Sequence, residues 1–211
     1  MNFDKVLVLS PHPDDAELGA GGTIARFIME DKEIFYVTFS GCEKSVPAGL
    51  PKNTLIIESK KAIALLGLTS KNSLQLDYEV RDFPLHRQEI LEEMVRLNNS
   101  FKPDLVLAPS SSDVHQDHQT IHAEALRAFK KTASIWGYEH PWNNLSFNTD
   151  VFVKLDREHM EKKIDALKQY KSQDFRTYFE ASYIRALAYT RGMQVDFAYA
   201  EAFELIRLLV R

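Results

Sequence analysis

Two short runs, Val6-Leu7-Val8-Leu9 and Leu105-Val106-Leu107-Ala108, constrain the fold of this chain more than any other feature. Each is wholly apolar, too short to be a buried helix, and ends in a polar turn. A strand reads as continuously apolar when both its faces are covered, which calls for a sheet held between layers of helices. Ile34 to Phe39, rich in aromatic and β-branched residues, reads as a further strand, and Leu74 to Leu76 as a short one. Between them, Asp14 to Glu30, Ile56 to Leu66, Pro84 to Asn98 and Gln116 to Lys130 carry helical spacing, with Gly67 as the C-terminal cap of the second. Strands alternating with helices predict an α/β fold, a mainly parallel sheet with helices on both faces.

Beyond Ala133 the pattern loosens. Ser134 to Tyr138 and Val151 to Leu155 read as strands, Arg157 to Tyr170 and Tyr178 to Thr190 as helices, and Ala198 to Leu209 as a last helix. With no low-complexity linker and no internal repeat, residues 1–211 are expected to form a single domain.

The net charge of -4 provides no basic footprint, so neither nucleic acid nor an anionic membrane is expected as the main partner. No apolar stretch approaches the ~20 residues that cross a bilayer. The single cysteine, Cys42, has no internal disulfide partner and reads as a packed residue rather than a nucleophile. With no signal-peptide pattern at the N-terminus, the expected location is cytoplasmic.

The chemistry-bearing residues gather in two turns, His12, Asp14 and Asp15 after the first buried strand and His115, Asp117 and His118 after the later one. In open parallel sheets, active sites collect beyond the carboxyl ends of the strands, so the two turns can line one crevice. His12 and Asp15, three apart on a turn entering a helix, can converge on one point, and His118 can add a third ligand. Two imidazoles and a carboxylate suit Zn²⁺, with a fourth position left for water. Asp14 is then placed to take a proton from that water. His115 is a candidate to protonate a leaving group or, as imidazolium, to stabilise an oxyanion. Asp117 reads as an acceptor for an imidazole N–H, with His115 as the candidate donor.

Taken singly, each turn has a plainer reading: carboxylates at a helix start, or histidines on a polar helix end. Together they supply ligands, base and acid, and this favours the metal site. His122 reads as a helix-face residue, and His86, His140 and His159 as structural or exposed. Gly19, Gly21 and Gly22 follow an acidic turn that would repel phosphate, so they are expected to allow close helix packing.

Pro11-His12-Pro13-Asp14-Asp15-Ala16-Glu17-Leu18-Gly19-Ala20-Gly21-Gly22-Thr23 resembles the first motif of the PIG-L/LmbE-like N-deacetylases, and His115-Gln116-Asp117-His118 resembles their second. The resemblance implies a Rossmann-like fold and zinc-dependent removal of acetyl groups from N-acetylglucosamine-type substrates. It implies His12, Asp15 and His118 as zinc ligands, Asp14 as general base, and His115 as the electrostatic or acid partner supported by Asp117. The segment Glu58 to Gly67 is similar to the helix after the family's substrate loop. Many members carry an arginine three residues before that glutamate, where this chain has Leu55. Arg81, beside Asp82, is the candidate substitute. Gln173, in a segment resembling one close to the family's active site, is expected near the substrate, and Tyr199 to Phe203 is similar to a C-terminal segment of bacterial members.

The chain is therefore expected to be a zinc-dependent hydrolase that removes the acetyl group from an N-acetylated amino sugar or its conjugate. Two rivals stand beside this reading. One is a zinc esterase or amidase on a non-sugar metabolite, which the loss of arginine at position 55 favours. The other is a non-catalytic sugar-binding module of the same fold. Trp136 and Trp142 are candidates to stack on a sugar ring, with a place in the core or at a subunit contact as the rival reading. Apolar residues such as Phe197, Tyr199 and Phe203 suggest a homo-oligomer.

Overall fold

A computed structural model describes residues 3–210. The first buried run lies in β1 (Lys5–Ser10) and the second in β4 (Leu105–Pro109). Between them come α1 (Asp15–Met29), β2 (Glu33–Thr38), α2 (Thr54–Leu66), β3 (Ser73–Gln75) and α3 (Arg87–Phe101). After β4 follow α4 (Gln116–Phe129), β5 (Ser134–Tyr138), β6 (Val151–Leu155), α5 (Arg157–Leu167), α6 (Ala181–Met193) and β7 (Tyr199–Arg207). The seven strands form one sheet in the order β3-β2-β1-β4-β5-β7-β6. The first five run parallel, while β7 lies antiparallel to both β5 and β6. The expected α/β architecture with a mainly parallel sheet is present.

β1 shows why its sequence had to be apolar throughout. Val6 and Val8 point into one core, shared with Ile24 of α1, Ile63 of α2 and Ile164 of α5. Leu7 and Leu9 point into the other, against Ile90 and Met94 of α3 and Ile121 of α4. All four are fully buried, and each such side chain stabilises the fold by about 1.5–3 kcal/mol. α2 ends where expected: Gly67 takes φ +104°, and its N–H donates to the carbonyl of Ala64.

The segment 198–209 departs from expectation. Its alanine, glutamate and leucine content favours a helix locally, yet it forms β7, inserted between β5 and β6. There its backbone finds a ladder partner on each side, and Ala200, Ala202 and Phe203 are buried in the sheet. Tertiary pairing overrides the local preference. The aromatic surplus expected here is partly taken up internally, since Phe203 is fully buried and Tyr199 half-buried, whereas Phe197 is 37% exposed. Trp136 is also a core residue, edge-on to Phe3 with ring centroids 5.3 Å apart. It is not available to a sugar. No helix among the described residues is long and apolar enough to cross a membrane.

The chain leaves β1 for β2 on one side, while β4 pairs on the other. This is the switch point at which open α/β sheets form a crevice. α1 closes one side of it by lying hard against β5. A Cβ added at Gly19 would stand 2.5 Å from Cδ2 of Tyr138, whose hydroxyl donates to the carbonyl of Leu9 at 2.8 Å. Gly19→Ala would gain about 1 kcal/mol of intrinsic helix preference, but overpacking costs about 1–3 kcal/mol. We expect a net loss of stability in denaturant unfolding. A gain would mean that helix and sheet do not meet this closely.

Candidate metal centre

The turn after β1 is shaped before any ligand is considered. The Ser10 hydroxyl donates to the carbonyl of His12 at 2.7 Å and accepts the Ala16 N–H at 3.1 Å, which ties the strand end to the first turn of α1. Asp14 sits at φ +88°, a left-handed conformation rare for any residue but glycine. Such strain costs about 1–3 kcal/mol and gathers at functional sites. Its effect is to send the side chains of Asp14 and Asp15 apart. Asp15 is buried and accepts the backbone N–H of His12 at 2.8 Å. Asp14 is half-buried and lines a cavity of about 300 Å³.

The facing turn, after β4, brings His118 to the same point. His12 Nδ1 lies 3.0 Å from Asp15 Oδ2 and 3.2 Å from His118 Nε2, which is itself 3.1 Å from Asp15 Oδ2. The other nitrogen of each ring is already engaged. His12 Nε2 lies 2.8 Å from Asp117 Oδ2, and His118 Nδ1 lies 2.7 Å from Asp113 Oδ2. A carboxylate can only accept, so these outer nitrogens carry protons, and the inner ones present lone pairs to a cation that displaces the proton Asp15 attracts. Two lone pairs and a carboxylate oxygen thus face one another across a nearly equilateral triangle. Corners of a tetrahedral site with zinc-like bonds of about 2.0–2.2 Å stand about 3.3–3.6 Å apart. The donor set fits a divalent cation with a few tenths of an ångström of adjustment.

Two neighbouring histidines also bring ring nitrogens to the cluster, His115 beside His12 and His118, and His140 beside Asp15 and His118. Both are spoken for. His115 Nδ1 accepts the Asp117 N–H at 3.2 Å as the N-cap of α4, which leaves its proton on Nε2. His140 Nε2 donates to the carbonyl of Asp15 at 2.9 Å, and its Nδ1 lies 3.4 Å from Asp113.

Sequence reasoning placed Asp117 behind His115. The structure puts its carboxylate on His12 instead, with further bonds from the backbone N–H groups of Arg81, at 2.7 Å, and Phe83. Two supporting residues were missed: Asp113, which grips His118, and His140, read as structural or exposed but buried beneath Asp15. His122, as expected, stays outside the cluster and lies 3.0 Å from the carbonyl of Pro109. His86 lies on an exposed turn beside Glu89, and His159 caps α5.

The electrostatics follow from this crowding. Burial lowers the basicity of His12 and His118, but neighbouring carboxylates outweigh it. Asp15 and Asp117 hold His12 above its ordinary value, and Asp15 and Asp113 push His118 up to about 10. Asp15 itself is held well below the usual carboxylate range by His118 and His12, against the cost of burial. Asp14 moves the other way. Burial, then the charges of Asp15 and Glu17, push it well above that range, with the Arg176 guanidinium opposing. Burial and the two neighbouring imidazoles bring His115 down to about 4, so at neutral pH it is an uncharged ring. Cys42 lines the cavity, but burial pushes its thiol far up, so it holds no thiolate for nucleophilic chemistry.

The remaining walls carry Leu55, Arg81, Gln173 and Arg176. Leu55 is where the resemblance led one to look for arginine. Gln173 is buried, and its Oε1 accepts from Nε of Arg176 at 2.8 Å. Trp142 reaches the rim, but both its faces are covered: Tyr178 stacks on it at 4.0 Å and His140 at 5.0 Å. It can offer a sugar only its edge.

Two outcomes follow. Removing a partner that orients a ligating imidazole lowers metal affinity about 10–100-fold, so Asp113→Ala should do so in competition with a chromophoric chelator. In metal-stripped protein, the stability that His118 contributes is full below its ordinary value of 6.5 and lost as pH rises toward about 10. The melting temperature of that protein should therefore fall over this interval, and added divalent metal should offset the fall. A flat profile would show that the carboxylates do not hold a proton on the imidazoles.

Comparison with known proteins places this geometry. The chain is 28% identical over 176 residues to the uncharacterized deacetylase YaiS of Escherichia coli (strain K12), covering 79% of this chain and 90% of that protein. It is 25% identical over 225 residues to the diacetylchitobiose deacetylase of Thermococcus kodakarensis, covering 96% and 83% respectively. The structure superposes on GalB, the 4-carboxy-2-hydroxymuconate hydratase of Pseudomonas putida KT2440, with a TM-score of 0.79 at 19% identity over 99% and 98% of the two chains. That likeness is one of fold alone, and it shows that the scaffold does not by itself decide the reaction. The GlcNAc-PI de-N-acetylase (PIG-L) family model matches residues 7–129, a span from β1 to the end of α4 that contains both ligand-bearing turns. The chain belongs to the PIG-L family.

Proposed function

We propose that this protein is a zinc-dependent N-deacetylase acting on an N-acetylated amino sugar or its conjugate. The observation that carries the reading is the triangle of His12 Nδ1, Asp15 Oδ2 and His118 Nε2, with an uncommitted, half-buried carboxylate, Asp14, beside it. The sugar itself is supported by family membership and by the name of the Thermococcus relative.

His12, Asp15 and His118 would hold the zinc, and Asp113 and Asp117 would fix the two ring orientations. When bound, zinc in such a site supplies Lewis acidity and lowers the pKa of a bound water to about 7. Asp14 is the general base. Burial and the carboxylates of Asp15 and Glu17 make it a better proton acceptor than an ordinary aspartate. It takes one proton from the attacking water and then, as a carboxylic acid, returns it to the departing amine nitrogen. His115, uncharged with its proton on Nε2, donates a hydrogen bond to the carbonyl oxygen as negative charge gathers there. The neutral ring shifts the acid's duty from His115 to Asp14. Arg81 and Gln173 are assigned to the substrate side of the cavity.

Leu55 in the cavity wall favours a second reading, hydrolysis of an acyl group on a non-sugar metabolite. Acetate release by the zinc-loaded protein from N-acetylglucosamine glycosides and from simple acyl esters separates the two. Asp14→Asn should lose about 10²–10⁴-fold in kcat, the usual worth of a positioned base, while still binding the metal. Near-normal turnover by Asp14→Asn, or no recovery of metal-stripped protein with added Zn²⁺, would overturn the proposal.

A further inference from the structure

His140 reaches the ligand cluster from a third strand. The turn after β1 carries His12 and Asp15, and the turn after β4 carries His118. β5 lies beside β4 in the sheet, and His140 stands in the loop beyond it, fully buried. Its ring spans both turns. Nε2 donates to the carbonyl of Asp15 at 2.9 Å, and Nδ1 lies 3.4 Å from Oδ2 of Asp113, the oxygen that stands 2.7 Å from Nδ1 of His118. Its nitrogens come near enough to Asp15 and His118 to belong to a ligand set, but Nε2 is committed to the carbonyl. One ring thus touches the backbone of one ligand and the carboxylate that aims a second. The third ligand, His12, is oriented separately by Asp117.

Much of the surrounding structure serves to hold that ring. It packs against Tyr138, whose hydroxyl is bonded to the carbonyl of Leu9 in β1, with centroids 5.3 Å apart. Trp142 stacks on it at 5.0 Å and 20°, and Tyr178 stacks on Trp142 at 4.0 Å and 9°. The His140 backbone N–H donates to Oδ1 of Asn144 at 2.7 Å, and the Asn144 amide donates to the hydroxyls of Ser110 and Ser112 at 2.8 and 3.0 Å. The loop after β5 is therefore tied to the turn after β4. The carbonyl that His140 grips lies one residue beyond Asp14, whose left-handed backbone is the strained point of the first turn.

We propose that His140 is a positioning residue for the metal centre, fixing the Asp15–His118 edge of the ligand triangle from the third strand. Asn144 and Trp142 hold it in place. The inference rests on the metal reading of the site and goes beyond it, to what keeps two ligands from different strands in one geometry. A partner that orients a metal ligand governs affinity without touching the ion.

The test measures Zn²⁺ affinity of the full chain by competition with a chromophoric chelator. Beside it, the visible spectrum of the Co²⁺-loaded protein reports coordination geometry. His140→Phe keeps a packed ring and removes both nitrogens. It should lower Zn²⁺ affinity about 10–100-fold and change the cobalt bands. His140→Gln keeps a donor near the Nε2 position and should recover most of both. A residue that only packs would give another pattern, with lower melting temperatures in the two variants but unchanged affinity and spectrum. That pattern, or equal losses of affinity in both variants, would overturn the proposal. Trp142→Leu serves if His140→Phe does not fold, since it removes the stack and leaves the ring's hydrogen bonds in place. It should weaken Zn²⁺ binding about two- to tenfold, the worth of a lost ring stack, and unchanged affinity there would also overturn the proposal. Unaltered chain that binds neither Zn²⁺ nor Co²⁺ would overturn the metal reading and this inference with it. Metal binding that His140→Phe leaves untouched overturns the inference alone.

Discussion

Val6, Leu7 and Val8 of β1 pair in parallel with Leu105, Val106 and Leu107 of β4, although about a hundred residues separate the two runs. Both strands are buried on both faces, so neither can slip by one residue without moving side chains from one core to the other. The register fixes where the two strands end relative to each other. Those ends carry the turns with His12 and Asp15 on one side and His115 and His118 on the other. Everything polar in the site inherits its geometry from an apolar pairing beneath it.

On that floor the protein assembles groups that would avoid one another in isolation. Asp15, Asp113 and Asp117 are buried, and each is compensated by imidazoles or backbone N–H groups. A buried carboxylate without such partners would be protonated or would cost several kcal/mol. The arrangement works because each imidazole has one nitrogen committed outward, to Asp113 or Asp117, before its other nitrogen is offered inward. Asp14 is the exception, a carboxylate left without a cationic neighbour in direct contact and held on strained backbone. Its raised proton affinity follows from burial and from the neighbouring charges of Asp15 and Glu17.

The legible parts of this structure were those with a short-range signature. The apolar runs declared a doubly covered sheet, Gly67 declared a helix end, and the spacing of His12 to Asp15 and of His115 to His118 declared convergent side chains. What the sequence hid depends on contacts between distant segments. Asp113 and His140 lie in polar loops with nothing local to mark them, and only the fold brings them under His118 and Asp15. Arg176 lay three residues past Gln173 without a pattern of its own; its significance is the cavity it faces. β7 was misread because alanine, glutamate and leucine favour a helix, and the vacancy between β5 and β6 that claims the segment cannot be seen in one dimension. Trp142 stood as a candidate stacking platform since composition does not reveal that both faces are already covered.

The two tryptophans lie in contrasting surroundings. Trp136 is buried against Phe3 and Phe203, whereas Trp142 is 39% exposed at the cavity rim. An enclosed indole emits at shorter wavelength than a hydrated one and resists soluble quenchers. The intrinsic fluorescence of this chain therefore divides into a blue component that reports the core and a redder, quenchable one that reports the rim. Anything that enters the cavity and disturbs the rings around Trp142 changes the second while leaving the first in place, so the protein carries its own optical gauge of occupancy.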